Sequence, residues 1–200
     1  MNSIFDKLFV RGKHVCPSWL CFTFDNPLRK IFHDPGEIIA PYIKTGDTVV
    51  DIGPGHGYFT IPMCQLVGGA QGGEGRVIAV DIQEKMLKSL QRRASAAGLD
   101  GNLTTHLSMP NDFCLTVQAD FVLAFWMVHE VQEARQFFAN VKGIMKPDAK
   151  FLIAEPLFHV TKGRFNNTLK TAQDMGFKIV ARPAISLSHT ATLVSSPVSL

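Results

Sequence analysis

Apolar and polar positions along this chain alternate between two periods. Short runs rich in β-branched residues read as buried strands: Val49, Val50 and Ile52, then RVIAVD at 76–81, ADFVLAF at 119–125 and KFLIAE at 150–155. Between them the apolar positions fall at helical spacing, first Phe59, Met63, Leu66 and Val67, later Met86, Leu87 and Leu90. The pattern predicts helices over 34–43, from the loop after Ile52 to about Gly68, and over 83–97, 133–145 and 162–175. It predicts further strands over 102–107, 177–182 and 190–195. The punctuation agrees. Asp34 stands where an N-cap belongs, with Pro35 at the first helical position and Glu37 in the first turn. Gly46, Gly98 and Gly176 close helices, Pro41 shortens or kinks the first, and Lys146 and Pro147 end the one before the fifth strand. GGAQGGEG reads as a surface connection. Strands alternating with helices imply a parallel sheet covered on both faces, with ligands at the carboxyl ends of the strands.

One junction stands out. The first strand runs into glycines at alternate positions, Gly53, Gly55 and Gly57, and then into a helix. Such a loop presents backbone N–H groups to a polar ligand, and glycine lets the ligand touch the main chain without meeting a Cβ. The spacing is G-x-G-x-G. A dinucleotide fingerprint would need its third glycine at Tyr58, which argues against a nicotinamide cofactor. The second strand ends in Asp81, where a ribose-binding carboxylate would stand; the same residue could instead cap the helix that follows.

Composition narrows the class. Two hundred residues suit one α/β domain with a real core. A net charge of +3, scattered and without a lysine/arginine block, argues against a nucleic-acid face. The apolar run at 121–128 is too short to cross a bilayer, and the N-terminus mixes charges into its apolar residues as a signal peptide does not, so a cytoplasmic location is expected. Cys16, Cys21, Cys64 and Cys114 form no C-x-x-C pair. Cys64 and Cys114 are expected as small core fillers, and Cys16 with Cys21 and His14 fits no standard zinc spacing, so no metal is expected. Residues 1–33 form a separate leader rich in aromatics, with too much apolar surface for a bare tail. It is either a cap on the domain edge or a lid whose Trp19, Phe24 and Asn26 face the pocket of the 34–200 domain.

VVDIGPGHGYFT and VIAVDIQEKML together resemble the first two motifs of the class I S-adenosylmethionine (SAM)-dependent methyltransferases, of the small-molecule methyltransferase type 11/25 kind. The resemblance continues through ADFVLAFWMVHEV and MKPDAKFLIAEP and covers roughly 35–195. It implies a Rossmann-like three-layer α/β/α sandwich. Its mostly parallel seven-stranded sheet would have the order 3-2-1-4-5-7-6 with the last strand antiparallel. It implies SAM as cofactor and S-adenosylhomocysteine as product. By the same resemblance the main chain of Gly53, Gly55 and Gly57 curves beneath the cofactor, and Asp51 orders that loop and faces its ammonium side. Asp81 accepts both ribose hydroxyls, being acceptor-only as a vicinal diol requires. Ile82 and Met86 pack on the adenine, and Ser108 or Asp112 reaches its amino group. Phe125 and Trp126 wall the methionine moiety, although Phe125 could equally be plain core.

Methyl transfer from a sulfonium asks the protein mainly to align the reacting atoms and exclude water. A base is needed only when the acceptor must lose a proton. His129, just after the fourth strand, and His159, just after the fifth, are the candidate catalytic residues, with Glu130 beside them. Glu155 could instead anchor the loop, and His189 has no special claim. F-W-M-V follows the fourth strand where amino-directed enzymes acting on adenine or glutamine amides carry N-P-P-Y or D-P-P-Y. The expectation is therefore transfer to a small molecule. An RNA or protein methyltransferase, and a SAM-binding partner module without catalysis, are the alternatives. The acceptor and the oligomeric state are not legible.

Overall fold

A computed structural model describes residues 33–68 and 73–196. His14, Cys16, Trp19, Cys21, Phe24 and Asn26 lie outside those residues. Asp34 caps α1 (Pro35–Ile39): its Oδ1 accepts the Glu37 N–H at 3.2 Å. Pro41 has no N–H to continue the ladder, and the chain tightens into a 3-10 turn at Ala40–Tyr42. The expected single helix over 34–43 is thus two short pieces.

β1 (Thr48–Ile52), α2 (Thr60–Gly68), β2 (Arg76–Asp81), α3 (Glu84–Ala96), β3 (Leu103–Leu107) and β4 (Ala119–Phe125) follow the expected order. Then come α4 (Ala134–Ile144), β5 (Met145–Pro156), α5 (Lys162–Asp174), β6 (Phe177–Ala181) and β7 (Ser188–Ser195). β5 departs from expectation by starting at Met145, directly at the end of α4. Lys146 and Pro147 do not separate the two elements. Met145 is buried opposite Ala119, and Lys146 Nζ reaches Asp120 Oδ1 at 2.7 Å, so the extra residues gain partners as strand. A register shift between Ala119 and Phe121 absorbs them.

The sheet order is β3-β2-β1-β4-β5-β7-β6. β7 runs antiparallel to both neighbours and the other pairings are parallel. The resemblance implied this arrangement, and it is observed. Strand residues alternate between two cores. Val49, Val77, Ala79, Phe121, Leu123 and Phe125 pack under α1, α2 and α3. Val50, Ile52, Val122, Phe151 and Ile153 pack under Phe137, Phe138, Phe165 and Leu169 of α4 and α5. This alternation decides which chemistry meets which: Asp51 and Asp81 project with the first set, Glu155 with the second.

Among the described residues no helix is long and apolar enough to cross a membrane. Cys64 is buried in the first core, as expected. Cys114 is exposed, which corrects its reading as a core filler. It sits at φ 48° in a turn that Asp112 Oδ1 ties by accepting the Cys114 N–H at 2.8 Å.

Candidate functional site

The carboxyl ends of β1, β2, β4 and β5 converge on one edge of the sheet. Parallel register brings Asp51 level with Ala79, and the Gly53 N–H donates to Val80 O at 2.9 Å, so the glycine loop starts against the last turn of β2. The three glycines then divide their work. A Cβ on Gly57 would overlap Leu90 Cδ1 of α3, so this glycine exists for helix packing rather than for a ligand. A Cβ on Gly53 would crowd the Met127 side chain at 3.0 Å. Among the described residues, nothing lies within 4 Å of where a Cβ on Gly55, at φ 56°, would be. Of the three expected cofactor contacts, Gly55 is the position where bare main chain faces outward.

Asp51 is almost wholly buried, and its Oδ2 accepts the Thr60 hydroxyl at 2.6 Å. Thr60 begins α2, so Asp51 ties the end of β1 to the start of that helix. Burial pushes the Asp51 carboxyl up to about 7; the Thr60 hydroxyl opposes the rise and the Asp81 charge adds to it. Asp81 is likewise pushed up, to about 6, chiefly by burial. The Gln83 N–H opposes that shift and Glu130 reinforces it. Asp81 Oδ1 accepts this N–H at 2.8 Å and so helps start α3. The capping role and the site role are therefore compatible, because a carboxylate has further lone pairs to offer. Carboxylates from three segments thus feel one another's charge here, Asp81 acting on Asp51 and Glu130 on Asp81. Such a site stabilises a ligand that brings cationic charge and hydroxyl donors.

Ile82 is 39% exposed beside Asp81, and Leu107 and Met109 are exposed at the end of the next strand. These are apolar surfaces that a flat ring could cover. Met86 is 2% exposed and presents no such surface, contrary to its expected place on the adenine. Ser108 is buried and its N–H donates to Asp81 O at 3.0 Å, which keeps it at the site. Asp112 spends its carboxylate on its own turn.

Phe125 packs against Phe59 at 4.4 Å between ring centroids and belongs to the core under α1–α3. Trp126 turns the chain out of β4 at φ 60°, a conformation that a non-glycine residue holds only under constraint. Its N–H donates to Ala154 O at 2.7 Å and its Nε1–H to Ser188 Oγ at 2.9 Å. His33 enters the same wall. Its ring stands edge-on to Phe125 and Trp126, its Nε2 bonds Ser186 O at 2.6 Å, and Tyr58 donates to its carbonyl at 2.6 Å.

The histidines lie across the turn. Glu155 is 2% exposed and accepts three donors from two consecutive residues. Its Oε1 takes the Val128 N–H at 3.0 Å; its Oε2 takes the His129 N–H at 3.1 Å and His129 Nδ1 at 2.8 Å. Arg164 Nη2 donates to the His129 carbonyl at 2.9 Å. The His159 ring lies 4.7 Å from that of His129, on the exposed side. Burial and the neighbouring His129 and Arg164 hold His159 below the usual histidine range, against the pull of Glu155. The structure thus brings His129 and His159 together. Sequence reading missed Arg164, Thr60 and Leu90, which carry no motif of their own. Among the described residues no group of three or more His, Cys, Asp or Glu side chains could hold a metal ion.

A parallel sheet reversed by a hairpin, a glycine loop open at its middle residue and an acid at the end of β2 define a class I methyltransferase fold. The methyltransferase domain family profile matches residues 49–148, half of the chain, and the chain belongs to that family. Its cofactor is SAM. Over 121 residues the chain is 29% identical to the ubiquinone/menaquinone biosynthesis C-methyltransferase UbiE of Marinomonas sp. (strain MWYL1). That match spans 56% of this chain and 44% of the relative, less than half of the relative's length. The fold is similar to that of a SAM-dependent methyltransferase from Aquifex aeolicus at TM-score 0.77 and 22% identity, over 90% of this chain and 98% of the other. The glycopeptide N-methyltransferase MtfA, solved with SAM, is similar at TM-score 0.65 and 17% identity, over 82% and 87% of the two chains.

Proposed function

We propose that this chain transfers a methyl group from SAM to a small-molecule acceptor. The observation that carries the reading is the pairing of an open Gly55 with the buried Asp51 and half-buried Asp81 carboxylates at adjacent strand ends. Gly55 main chain lies beneath the cofactor. Asp81 accepts the ribose hydroxyls, Asp51 and Glu130 lend negative charge, and Ile82 covers one face of the adenine. When bound, SAM supplies a methyl group on a sulfonium, an already activated leaving group. The residues of the chain then have to orient and to exclude water. Trp126, Phe158 and Leu187 place apolar surface at the acceptor side, where Phe158 is 65% exposed and stands edge-on to Trp126. The name of the UbiE relative, a ubiquinone/menaquinone biosynthesis C-methyltransferase, supports a small-molecule acceptor.

Calorimetry with SAM and S-adenosylhomocysteine, against NAD and ATP, tests the cofactor. Asp81→Ala should weaken SAM binding by about tenfold or more, since it removes charged-group hydrogen bonds worth ~1.5–3 kcal/mol. Unchanged affinity refutes the ribose role. Labelled SAM with a panel of phenols and quinols, against RNA and peptide controls, tests the acceptor. Transfer to RNA or peptide alone overturns the small-molecule reading.

A further inference from the structure

The Glu155 carboxylate is spent in an unusual way. It is buried on the α4/α5 side of the sheet, and its three donors all come from Val128 and His129. A carboxylate only accepts, so His129 Nδ1 must carry the proton in that 2.8 Å contact. The tautomer is set by geometry. Among the described residues no carboxylate holds His159 in this way, and His159 is exposed. The two imidazoles sit 4.7 Å apart, too close for both to be charged without repulsion. Arg164 from α5 adds a third positive group, with its guanidinium on the His129 carbonyl. From β7, His189 lies opposite Glu155 in register and stacks on Phe165. Proton traffic in this cluster therefore has one open end, His159, and one fixed end, Glu155.

We propose that Glu155 and His129 are positioning residues for His159, which serves as the acceptor-side base. Glu155 pins the proton on His129 Nδ1, and His129 places like charge beside His159. The inference rests on the methyltransferase reading for the source of the proton. As the acceptor's bond to the methyl carbon forms and the carbon–sulfur bond breaks, the acceptor's own proton passes to the free nitrogen of His159. It is released to water afterwards. The Glu155–His129 pair takes no net proton.

The test is an NMR titration of the imidazole nitrogens in the full chain, which needs no acceptor. In the unaltered protein, the neutral His129 ring should be the Nδ1–H tautomer, and His159 should titrate below an exposed histidine. In His129→Gln the His159 midpoint should rise toward the usual histidine range, as a like charge is lost. In Glu155→Gln, His129 should lose its fixed tautomer and show both. A His129 protonated on Nε2 and not on Nδ1 in the unaltered protein, or a His159 midpoint that stays put in His129→Gln, overturns the proposal. Should Glu155→Gln fail to fold, His129→Gln decides alone. With any acceptor that turns over, the acid limb of kcat/KM should move to higher pH in His129→Gln, in step with the His159 midpoint. An acid limb that stays put while the midpoint moves removes His159 as the base. Calorimetry with S-adenosylhomocysteine on the same variants keeps the cofactor question apart: lost binding there speaks against the methyltransferase reading, not against the histidine pair.

Discussion

Gly55 and Gly57 are two residues apart and do opposite things. Both have positive φ, so alanine costs each of them about 1 kcal/mol of backbone strain. The surroundings then separate them. Gly57→Ala drives a methyl group into Leu90, a fully buried side chain of α3, and adds overpacking of about 1–3 kcal/mol. Gly55→Ala meets no neighbour among the described residues and instead fills the space where the proposed ligand would meet the main chain. Thermal unfolding should show a distinctly larger fall in Tm for Gly57→Ala, while calorimetry should show the larger loss of SAM affinity for Gly55→Ala. Equal Tm shifts, or equal affinities, would falsify this division of labour. G-x-G-x-G reads the same at each glycine, and only the position of α3 tells a packing glycine from a binding one.

At the scale of elements, α5 is the strut of the acceptor side. It supplies Arg164 to the His129 carbonyl and Phe165 to the His189 ring. Its start depends on Thr161, whose hydroxyl accepts the Arg164 N–H at 3.2 Å. Thr161→Ala should cost about 1 kcal/mol in urea unfolding, a typical value for a lost N-cap. An unmoved midpoint would mean that packing on the sheet alone holds the first turn. The strand boundaries teach a related point. Lys146 and Pro147 carry clear stop signals for α4, yet Met145 and Lys146 are strand residues because Ala119 and Asp120 offer them partners. Local signals located α4 correctly; tertiary pairing extended β5 backwards to meet it.

At the scale of the whole molecule, the site stores like charge. Asp51 and Asp81 have carboxyls raised to about 7 and about 6, first by burial. An acid whose pKa is higher in the folded state binds more protons there than in the unfolded chain. Its folded form is therefore favoured below the ordinary carboxylate range and loses that advantage as pH rises toward 7, by a few kcal/mol for a shift of this size. The ligand-free protein should lose Tm between pH 5 and pH 8. Asp51→Asn still offers Thr60 an acceptor but cannot ionise, so its Tm should fall distinctly less over the same interval. If the two proteins lose Tm in parallel, Asp51 is not the group responsible. SAM affinity in the unaltered protein should rise over that interval, because the ionised carboxylates are the form that attracts a cation.

Period and punctuation determined the element order, the sheet's parallel character, the glycine loop and the acid after β2, because each follows from neighbours within a few residues in sequence. The tertiary structure decided what those residues face. Asp51 and Asp81 share one face of the sheet with Glu130 close by, Met86 is withdrawn into packing, and Cys114 is turned out to solvent. Glu155 holds His129 from a different strand, and His159 stands beside it. Burial and charge coupling depend on distances through space between segments far apart in the chain, and no local pattern of apolar and polar residues encodes those distances.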